Sequence, residues 1–130
     1  MAKILIVDDN DDFREVVRQY LEMQDRELEI HEADSGELGL ASAFHERPDV
    51  VVMDLRLPQM NGIDAAERIK ENDPACDIIL LTMFETEEFK RGTPKGAISV
   101  FIVKSDIYDR LMPAIRRCLK GKRKPVLNPG

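Results

Sequence analysis

Short segments of strand-like composition alternate along this chain with longer segments of helical periodicity. The strand-like segments are KILIV, LEIHEA, DVVVMD, DIILLT and SVFIVK, of which the third and fourth are nearly continuous apolar runs. Runs of this kind are typical of strands that helices cover on both faces. The alternation predicts an α/β fold with a five-stranded parallel sheet and helices on both faces of the sheet.

The helical spacing of apolar residues predicts a helix after each of the first three strands and after the fifth. The predicted apolar faces are Phe13, Val16, Val17, Tyr20 and Leu21 in the first helix and Leu38, Ala41 and Phe44 in the second. The third helix is predicted over residues 63–72. Residues 85–95 contain Gly92 and Pro94, which disfavour a helix interior, so a helix there should be short, kinked or frayed.

The last predicted helix contains a proline. Because Pro113 cannot donate a backbone hydrogen bond, we expect it in the first turn or at a bend, with Asp106 or Asp109 as the cap. One face of this helix should pack on the sheet and another should be exposed. The packed residues are Ile107, Leu111, Ile115 and Cys118, and the exposed ones are Arg116, Arg117 and Lys120.

The composition indicates one globular domain. The chain has 130 residues, of which 43% are hydrophobic and 34% charged. At this length folding buries roughly two-thirds of the surface of the unfolded chain. No apolar run is long enough to span a membrane and no export leader precedes KILIVDD, so a cytoplasmic location is expected. Cys76 and Cys118 form no CxxC pair, and neither metal nor redox chemistry is expected of them.

The net charge of -6 argues against direct nucleic-acid binding by the domain, because phosphate contacts need a basic surface. A basic cluster does stand near the C-terminus, from Arg116 to Lys124. It is interpreted as the solvated face of the last helix running into a linker, in preference to an arm that contacts DNA.

Polar residues end four of the predicted strands. The first strand runs into Asp8 and Asp9, the third into Asp54, the fourth into Thr82 and the fifth into Lys104. Ligands of open α/β sheets bind beyond the carboxyl ends of the strands, and with the strand order 2-1-3-4-5 the acids converge there. Three carboxylates repel one another unless a cation lies among them. Hard oxygen ligands in this number suit a divalent ion such as Mg²⁺.

The motifs at these strand ends resemble those of receiver domains in two-component response regulators. They are the acid pair Asp8 and Asp9, MDLRLPQMNG around Asp54, LLTMF around Thr82 and FIVKSD around Lys104. The resemblance covers residues 3–121 and implies a doubly wound, flavodoxin-like sheet of order 2-1-3-4-5. A receiver domain is thus expected over residues 1–121, with residues 122–130 as a linker or tail and an output domain outside this sequence.

The resemblance also implies a role for each strand-end residue. Asp54 would be phosphorylated by a sensor histidine kinase or a small phosphodonor. Asp9, Asp54 and the backbone carbonyl of Arg56 would hold Mg²⁺, with Asp8 acting mainly through water. Thr82 and Lys104 would bind the phosphoryl oxygens. Thr82 and an aromatic residue, Phe101, would form the switch that passes phosphorylation to the surface.

The expected function is therefore a phosphorylation-controlled signalling switch, and not an enzyme beyond its own phosphoryl transfer and dephosphorylation. Expected partners are the kinase and a downstream output domain or protein, with homodimer formation on phosphorylation as a further option. The LTM and KSD variants resemble receivers that precede DNA-binding domains, which points to transcription regulation.

Three other functions were weighed. An aspartyl-phosphate phosphatase or phosphomutase would be expected to have a second Asp two residues after Asp54, where this chain has Arg56. A flavin or nucleotide carrier would need a phosphate loop after the first strand, where DDNDD would repel phosphate. A receiver-like interaction module that works without phosphorylation stays open.

Two residues depart from the common receiver pattern. Ser105 follows Lys104 where many receivers have proline, which predicts a more mobile loop. Met83 is larger than the small residue usual beside the threonine, and it is expected to narrow access to the phosphoryl site.

Overall fold

The computed structural model describes residues 1–84 and 96–122. Strands and helices alternate along them. The strands are β1 (Lys3–Val7), β2 (Glu29–Ala33), β3 (Val50–Asp54), β4 (Asp77–Thr82) and β5 (Val100–Val103). The helices are α1 (Asp11–Gln24), α2 (Gly36–Glu46), α3 (Gly62–Asn72) and α4 (Ile107–Lys122). A short hairpin, Arg56–Leu57 with Met60–Asn61, follows β3, and a 3-10 turn, Lys104–Asp106, leads into α4.

The five strands form one parallel sheet in the order β2-β1-β3-β4-β5. All residues of the central strand β3 are buried, as its continuous apolar sequence predicts. One side of the sheet packs against α2 and α3, and the other packs against α1 and α4. The predicted doubly wound α/β fold and its strand order are confirmed.

The buried face of α2 differs from the predicted one. Leu38 and Phe44 are 55% and 40% exposed, whereas Gly39, Leu40 and Ala43 are buried. A Cβ atom on Gly39 would lie 2.9 Å from the side chain of Val7, so the helix approaches β1 through its smallest residues. The prediction was wrong because it weighted large apolar side chains, while close packing of this helix selects small ones.

Pro113 lies inside α4, in its second turn, so the prediction of a first-turn position was wrong. The helix begins at Ile107, whose N–H donates to the Lys104 carbonyl at the end of the 3-10 turn. Pro113 removes the helical donor to the carbonyl of Asp109, but both residues are exposed, where water can bond to that carbonyl. The predicted faces of α4 are confirmed. Ile107, Leu111 and Ile115 are buried and Cys118 is partly buried, whereas Arg116, Arg117 and Lys120 are exposed.

Two predictions concern parts of the chain outside the described residues. They are the short, kinked or frayed helix over residues 85–95 and the linker over residues 122–130, of which only Lys122 is described and lies at the end of α4. No helix in the described ranges is both long enough and apolar enough to cross a membrane.

The hairpin after β3 folds tightly against the end of that strand. Gly62, at the start of α3, donates its N–H to the Leu55 carbonyl at 2.7 Å. A Cβ atom on Gly62 would lie 2.7 Å from the carbonyl oxygen of Asp54 and 2.9 Å from Leu55 Cα. Because both neighbours are backbone atoms, they cannot move aside without displacing the end of β3.

Gly62→Ala is therefore expected to lower the free energy of unfolding by about 2–3 kcal/mol, the upper range for forcing extra volume into a packed site. Urea unfolding followed by circular dichroism measures this change. Gly121→Ala is the matched control, because a Cβ atom on Gly121 meets nothing within 4 Å. The free energy of unfolding of Gly121→Ala should equal that of the parent or exceed it by about 0.5 kcal/mol, since alanine favours the helix. Equal unfolding midpoints for both variants would contradict the proposed clash.

Candidate functional site

The sheet register brings the predicted strand-end residues to one edge of the sheet. Val7 pairs with Met53, so Asp8 and Asp54 follow at the same level on neighbouring strands. Thr82 pairs with Val103, so Lys104 follows directly after the end of β5. Asp8, Asp54 and Thr82 are 2%, 9% and 3% exposed, although all three are polar or charged. Buried polar side chains of this kind need partners.

Lys104 is the partner that two of the acids share. Its Nζ lies 2.9 Å from Asp8 Oδ2 and 3.3 Å from Asp54 Oδ2. The lysine side chain is only 11% exposed, so water weakens these ion pairs much less than it weakens surface pairs. Lys104 therefore holds the carboxylates of β1 and β3 together across the end of the sheet.

The surroundings of Asp54 have opposing effects on the pKa of its carboxyl. Burial raises the pKa of this carboxyl above its usual value, and the negative charge of Asp8 adds to the rise. The Arg56 N–H, which donates to Asp54 Oδ1 at 3.1 Å, and the nearby Lys104 both lower the pKa. The net direction is upward, so a further cation beside Asp54 would favour its charged form.

Asp8, Asp9 and Asp54 form the acidic group that the sequence predicted. One carboxylate oxygen from each lies within 4.8 Å of the others. Asp8 also accepts a hydrogen bond from the Asn10 N–H at 2.8 Å through Oδ1, so both of its oxygens have partners. Asp9 is exposed, and its carboxylate makes no hydrogen bond or ion pair with the described residues. Oxygen atoms at this spacing fit a small divalent cation.

The hydroxyl of Thr82 bonds to the backbone of the loop after β4. It donates to the carbonyl of Phe84 at 2.8 Å. Met83 and Phe84 are exposed, whereas Phe101 is partly buried and packs against the core on the α2 and α3 side of the sheet. The threonine and the aromatic residue of the predicted switch thus lie on adjacent strands, β4 and β5.

Two residues of α1 take part in the site and were not predicted to do so. Lys104 Nζ lies 4.3 Å from the ring centre of Phe13, a cation–π contact. Arg14 donates to the backbone carbonyl of Asp8 at 2.7 Å. Phe13 had been interpreted as a core residue only. The contacts of Phe13 and Arg14 with the site could have been predicted from their place in the first turn of α1, the helix that directly follows Asp8 and Asp9.

A second group of possible metal ligands lies away from the strand-end site, on the edge strand β2 and at the end of α2. It consists of Glu29, His31 and Glu46, with His31 Nε2 at 2.6 Å from Glu29 Oε2. Lys3 Nζ lies 3.8 Å from Glu29 and 3.4 Å from Glu46, so a cation of the protein already offsets part of the charge of this group. His31 is partly buried, and it takes no part in the strand-end site.

The fold and the site together define a class: a doubly wound α/β domain with an acidic site and a lysine beyond the carboxyl ends of its strands. The family model "Response regulator receiver domain" matches residues 4–116. The chain therefore belongs to the response regulator receiver domain family. Domains of this family are signalling modules of two-component phosphorelays.

Individual relatives agree with this assignment. The uncharacterized transcriptional regulatory protein YxjL of Bacillus subtilis is 32% identical over 92% of this chain and 55% of its own length. The receiver domain protein of Clostridium thermocellum has a TM-score of 0.85 at 25% identity, covering 95% of this chain and 98% of that one. The response regulator TrrA of Thermotoga maritima, solved in complex with Mg(2+)-BeF, has a TM-score of 0.78 at 30% identity, covering 91% and 99%.

The chain is shorter than the regulators it resembles. It spans between 55% and 58% of the length of the first curated relatives that it matches. The similarity to those relatives therefore concerns their receiver part.

Proposed function

We propose that this domain is a phosphorylation-controlled switch that accepts a phosphoryl group on Asp54. The observation that carries the proposal is the bridge of Lys104 between Asp8 and Asp54, beside the exposed Asp9, in a chain of the receiver family. A carboxylate nucleophile, a fixed cation and a group of acids are what phosphoryl transfer to an aspartate requires.

The proposed transfer is a single displacement at phosphorus. An oxygen of the Asp54 carboxylate forms the new bond to phosphorus. The bond from phosphorus to the donor breaks, and the donor leaves with that electron pair. The donor is the phosphohistidine of a sensor histidine kinase or a small phosphodonor such as acetyl phosphate. Lys104, now 3.3 Å from Asp54, would bind an oxygen of the new acyl phosphate and stabilise its negative charge.

The acidic group fits a Mg²⁺ ion. Asp8, Asp9 and Asp54 have oxygens close enough for one ion, and Asp9 has no other partner among the described residues. Asp9, Asp54 and the backbone carbonyl of Arg56 would bind the ion directly, with Asp8 acting mainly through water. When bound, the ion supplies positive charge that the three acids and the phosphoryl oxygens need. TrrA, which was solved with Mg(2+)-BeF, supports this choice of metal.

The switch proposal rests on the hydrogen bond from Thr82 to the Phe84 carbonyl. A phosphoryl group on Asp54 adds acceptor oxygens, which would draw the Thr82 hydroxyl away from Phe84. The space that the threonine leaves would admit the ring of Phe101, which lacks a hydroxyl and can be buried without a partner. The surface near these two strands would then change and signal the phosphorylated state.

The domain boundaries and partners follow from the same proposal. The receiver was expected over residues 1–121, but α4 continues to Lys122, whose Nζ lies 3.4 Å from Asp77 Oδ2, so the receiver includes this residue. Residues 123–130 would lead to an output domain or act as a tail. The name of YxjL supports a transcriptional output. DNA binding would belong to that output domain, because the receiver itself is acidic. Phosphorylation would favour binding of the output domain or of a second copy.

Intact-mass measurement after incubation with acetyl phosphate tests the chemistry. With Mg²⁺ we expect a gain of one phosphoryl group, and with excess EDTA we expect none. The gain should be lost after mild alkali or hydroxylamine, because acyl phosphates are labile to both. If no gain appears with acetyl phosphate or with a panel of histidine kinases, the domain would instead be an interaction module that works without phosphorylation.

Amide NMR spectra test the switch. The beryllofluoride mimic with Mg²⁺ should shift the signals of Thr82, Phe101 and Lys104 far more than those of α2. Thr82→Val, which keeps the shape but lacks the hydroxyl, should confine the shifts to the neighbourhood of Asp9 and Asp54. The switch proposal fails if the parent protein already shows only the confined pattern.

A further inference from the structure

Arg14 connects the acidic site to two other elements. Its Nη1 donates to the backbone carbonyl of Asp8 at 2.7 Å, and its Nε donates to Glu32 Oε1 of β2 at 2.8 Å. Its Nη2 donates to Asp11 Oδ1, also at 2.8 Å. The side chain is 15% exposed. Three donors of one planar guanidinium are thus bound in fixed directions, which a lysine could not reproduce.

The carbonyl that Arg14 binds belongs to the peptide bond between Asp8 and Asp9. The N–H of Asp8 donates to the Ala33 carbonyl at 3.1 Å, so the chain before this peptide is fixed by β2. The carboxylate of Asp9 has no partner among the described residues that would fix it from the other side. The direction in which Asp9 leaves the backbone therefore depends on the peptide plane that Arg14 holds, together with the turn that the Asn10 N–H closes by bonding to Asp8 Oδ1 at 2.8 Å.

We infer that Arg14 is a positioning residue for the divalent cation site, and that it fixes the Asp8–Asp9 peptide so that the Asp9 carboxylate faces Asp54. This inference rests on the proposed function, since it concerns the same site. Glu32 has a part in it, because its carboxylate orients the guanidinium of Arg14. Removing a group that orients a metal ligand typically weakens metal binding about 10–100-fold.

The neighbouring Arg18 provides a matched control. Its Nη1 lies 2.7 Å from Glu32 Oε2, the other oxygen of the carboxylate that Arg14 uses, and its Nε bonds to Glu22. Arg18 lies on the same helix, carries the same charge and shares the partner Glu32. It makes no contact with Asp8. Any effect of charge, helix propensity or the α1–β2 contact should therefore appear in both variants.

The experiment is an Mg²⁺ titration of the parent, Arg14→Met and Arg18→Met, followed by the amide signals of Asp9 and Asp54. We expect the dissociation constant for Mg²⁺ to rise about tenfold in Arg14→Met and less than twofold in Arg18→Met. Phosphorylation by acetyl phosphate should recover toward the parent rate in Arg14→Met when Mg²⁺ is raised to saturation. A merely structural role would not give this rescue.

If Arg14→Met does not fold, the same titration is carried out with Arg14→Lys and Glu32→Gln. Both keep most of the local packing, and both should still weaken Mg²⁺ binding severalfold. Equal Mg²⁺ affinity in the Arg14 and Arg18 variants, while the parent binds Mg²⁺ and is phosphorylated, overturns the positioning role alone. A parent that neither binds Mg²⁺ nor accepts a phosphoryl group overturns the proposed function and this inference with it.

Discussion

Replacing Asp54 by asparagine is expected to abolish the gain of one phosphoryl group that we expect the parent to show with acetyl phosphate and Mg²⁺. The carboxamide is not a nucleophile toward phosphorus at neutral pH, so the loss should be complete rather than partial. The shape of the side chain is retained, and the amide can still accept the Arg56 N–H that Asp54 accepts at 3.1 Å. Circular dichroism should therefore show an unchanged fold, and intact mass measures the labelling.

Asp34→Asn is the matched control for this experiment. Asp34 follows the carboxyl end of β2 as an exposed acid, at the same edge of the sheet but outside the acidic group of Asp8, Asp9 and Asp54. The Asp34→Asn variant should be phosphorylated to the same extent as the parent. Full labelling of Asp54→Asn would mean that another residue accepts the phosphoryl group, and peptide mapping would then identify it.

Lys104→Met is expected to have a large effect on both labelling and stability. The lysine is the cation that both Asp8 and Asp54 contact, and its loss leaves two buried carboxylates facing each other. Removing one partner of a buried ion pair typically costs about 3–5 kcal/mol, and we expect about 3 kcal/mol here at neutral pH. Labelling by acetyl phosphate should slow about 100-fold, the usual effect of losing one donor to the transferred group.

The stability loss in Lys104→Met should depend on pH in a definite direction. Burial and Asp8 already raise the pKa of Asp54, and removing Lys104 takes away an opposing influence, so the pKa rises further. A carboxyl whose pKa is higher in the folded than in the unfolded state binds its proton more readily when folded. The variant should therefore approach the parent in stability at acidic pH and lose stability as pH rises through the pKa of the folded state.

Urea unfolding at a series of pH values, with and without Mg²⁺, measures this behaviour. Mg²⁺ should restore part of the lost stability at neutral pH, because an ion that binds only the folded state stabilises it. Lys120→Met serves as the control, since Lys120 is exposed on α4 and the change should stay within about 0.5 kcal/mol. A pH-independent loss in Lys104→Met would show that lost packing on Phe13, rather than charge repulsion, causes it.

The sheet and the strand-end residues could be predicted from the sequence because their signals are local. Continuous apolar runs identified the central strands, and β3 is buried throughout. The polar residue that ends each run marked the functional edge of a parallel sheet. Lys104 contacts both Asp8 and Asp54 there. The sequence predicted that these residues converge, but it did not predict that the lysine pairs with the acids.

The features that were missed depend on distances between elements, which a single sequence does not contain. The face of α2 that packs on the sheet was mispredicted because Gly39 sits against Val7. Pro113 was expected in the first turn or at a bend because only its lost donor was considered, not the exposure that makes the loss tolerable inside the helix. The link of Arg14 to the carbonyl of Asp8 joins a side chain to the backbone, and no motif encodes it.

The close approach of Gly62 to the Asp54 backbone has a consequence for mutational tolerance at this site. Position 62 carries no group that could touch a phosphoryl donor or a cation, yet any side chain there would press on the carbonyl of Asp54. Substitutions at Gly62 should therefore disturb the backbone around Asp54, and larger side chains should do so more than alanine. In a survey of variants, such a glycine could be mistaken for a ligand, although its role is to leave space for the backbone at the end of β3.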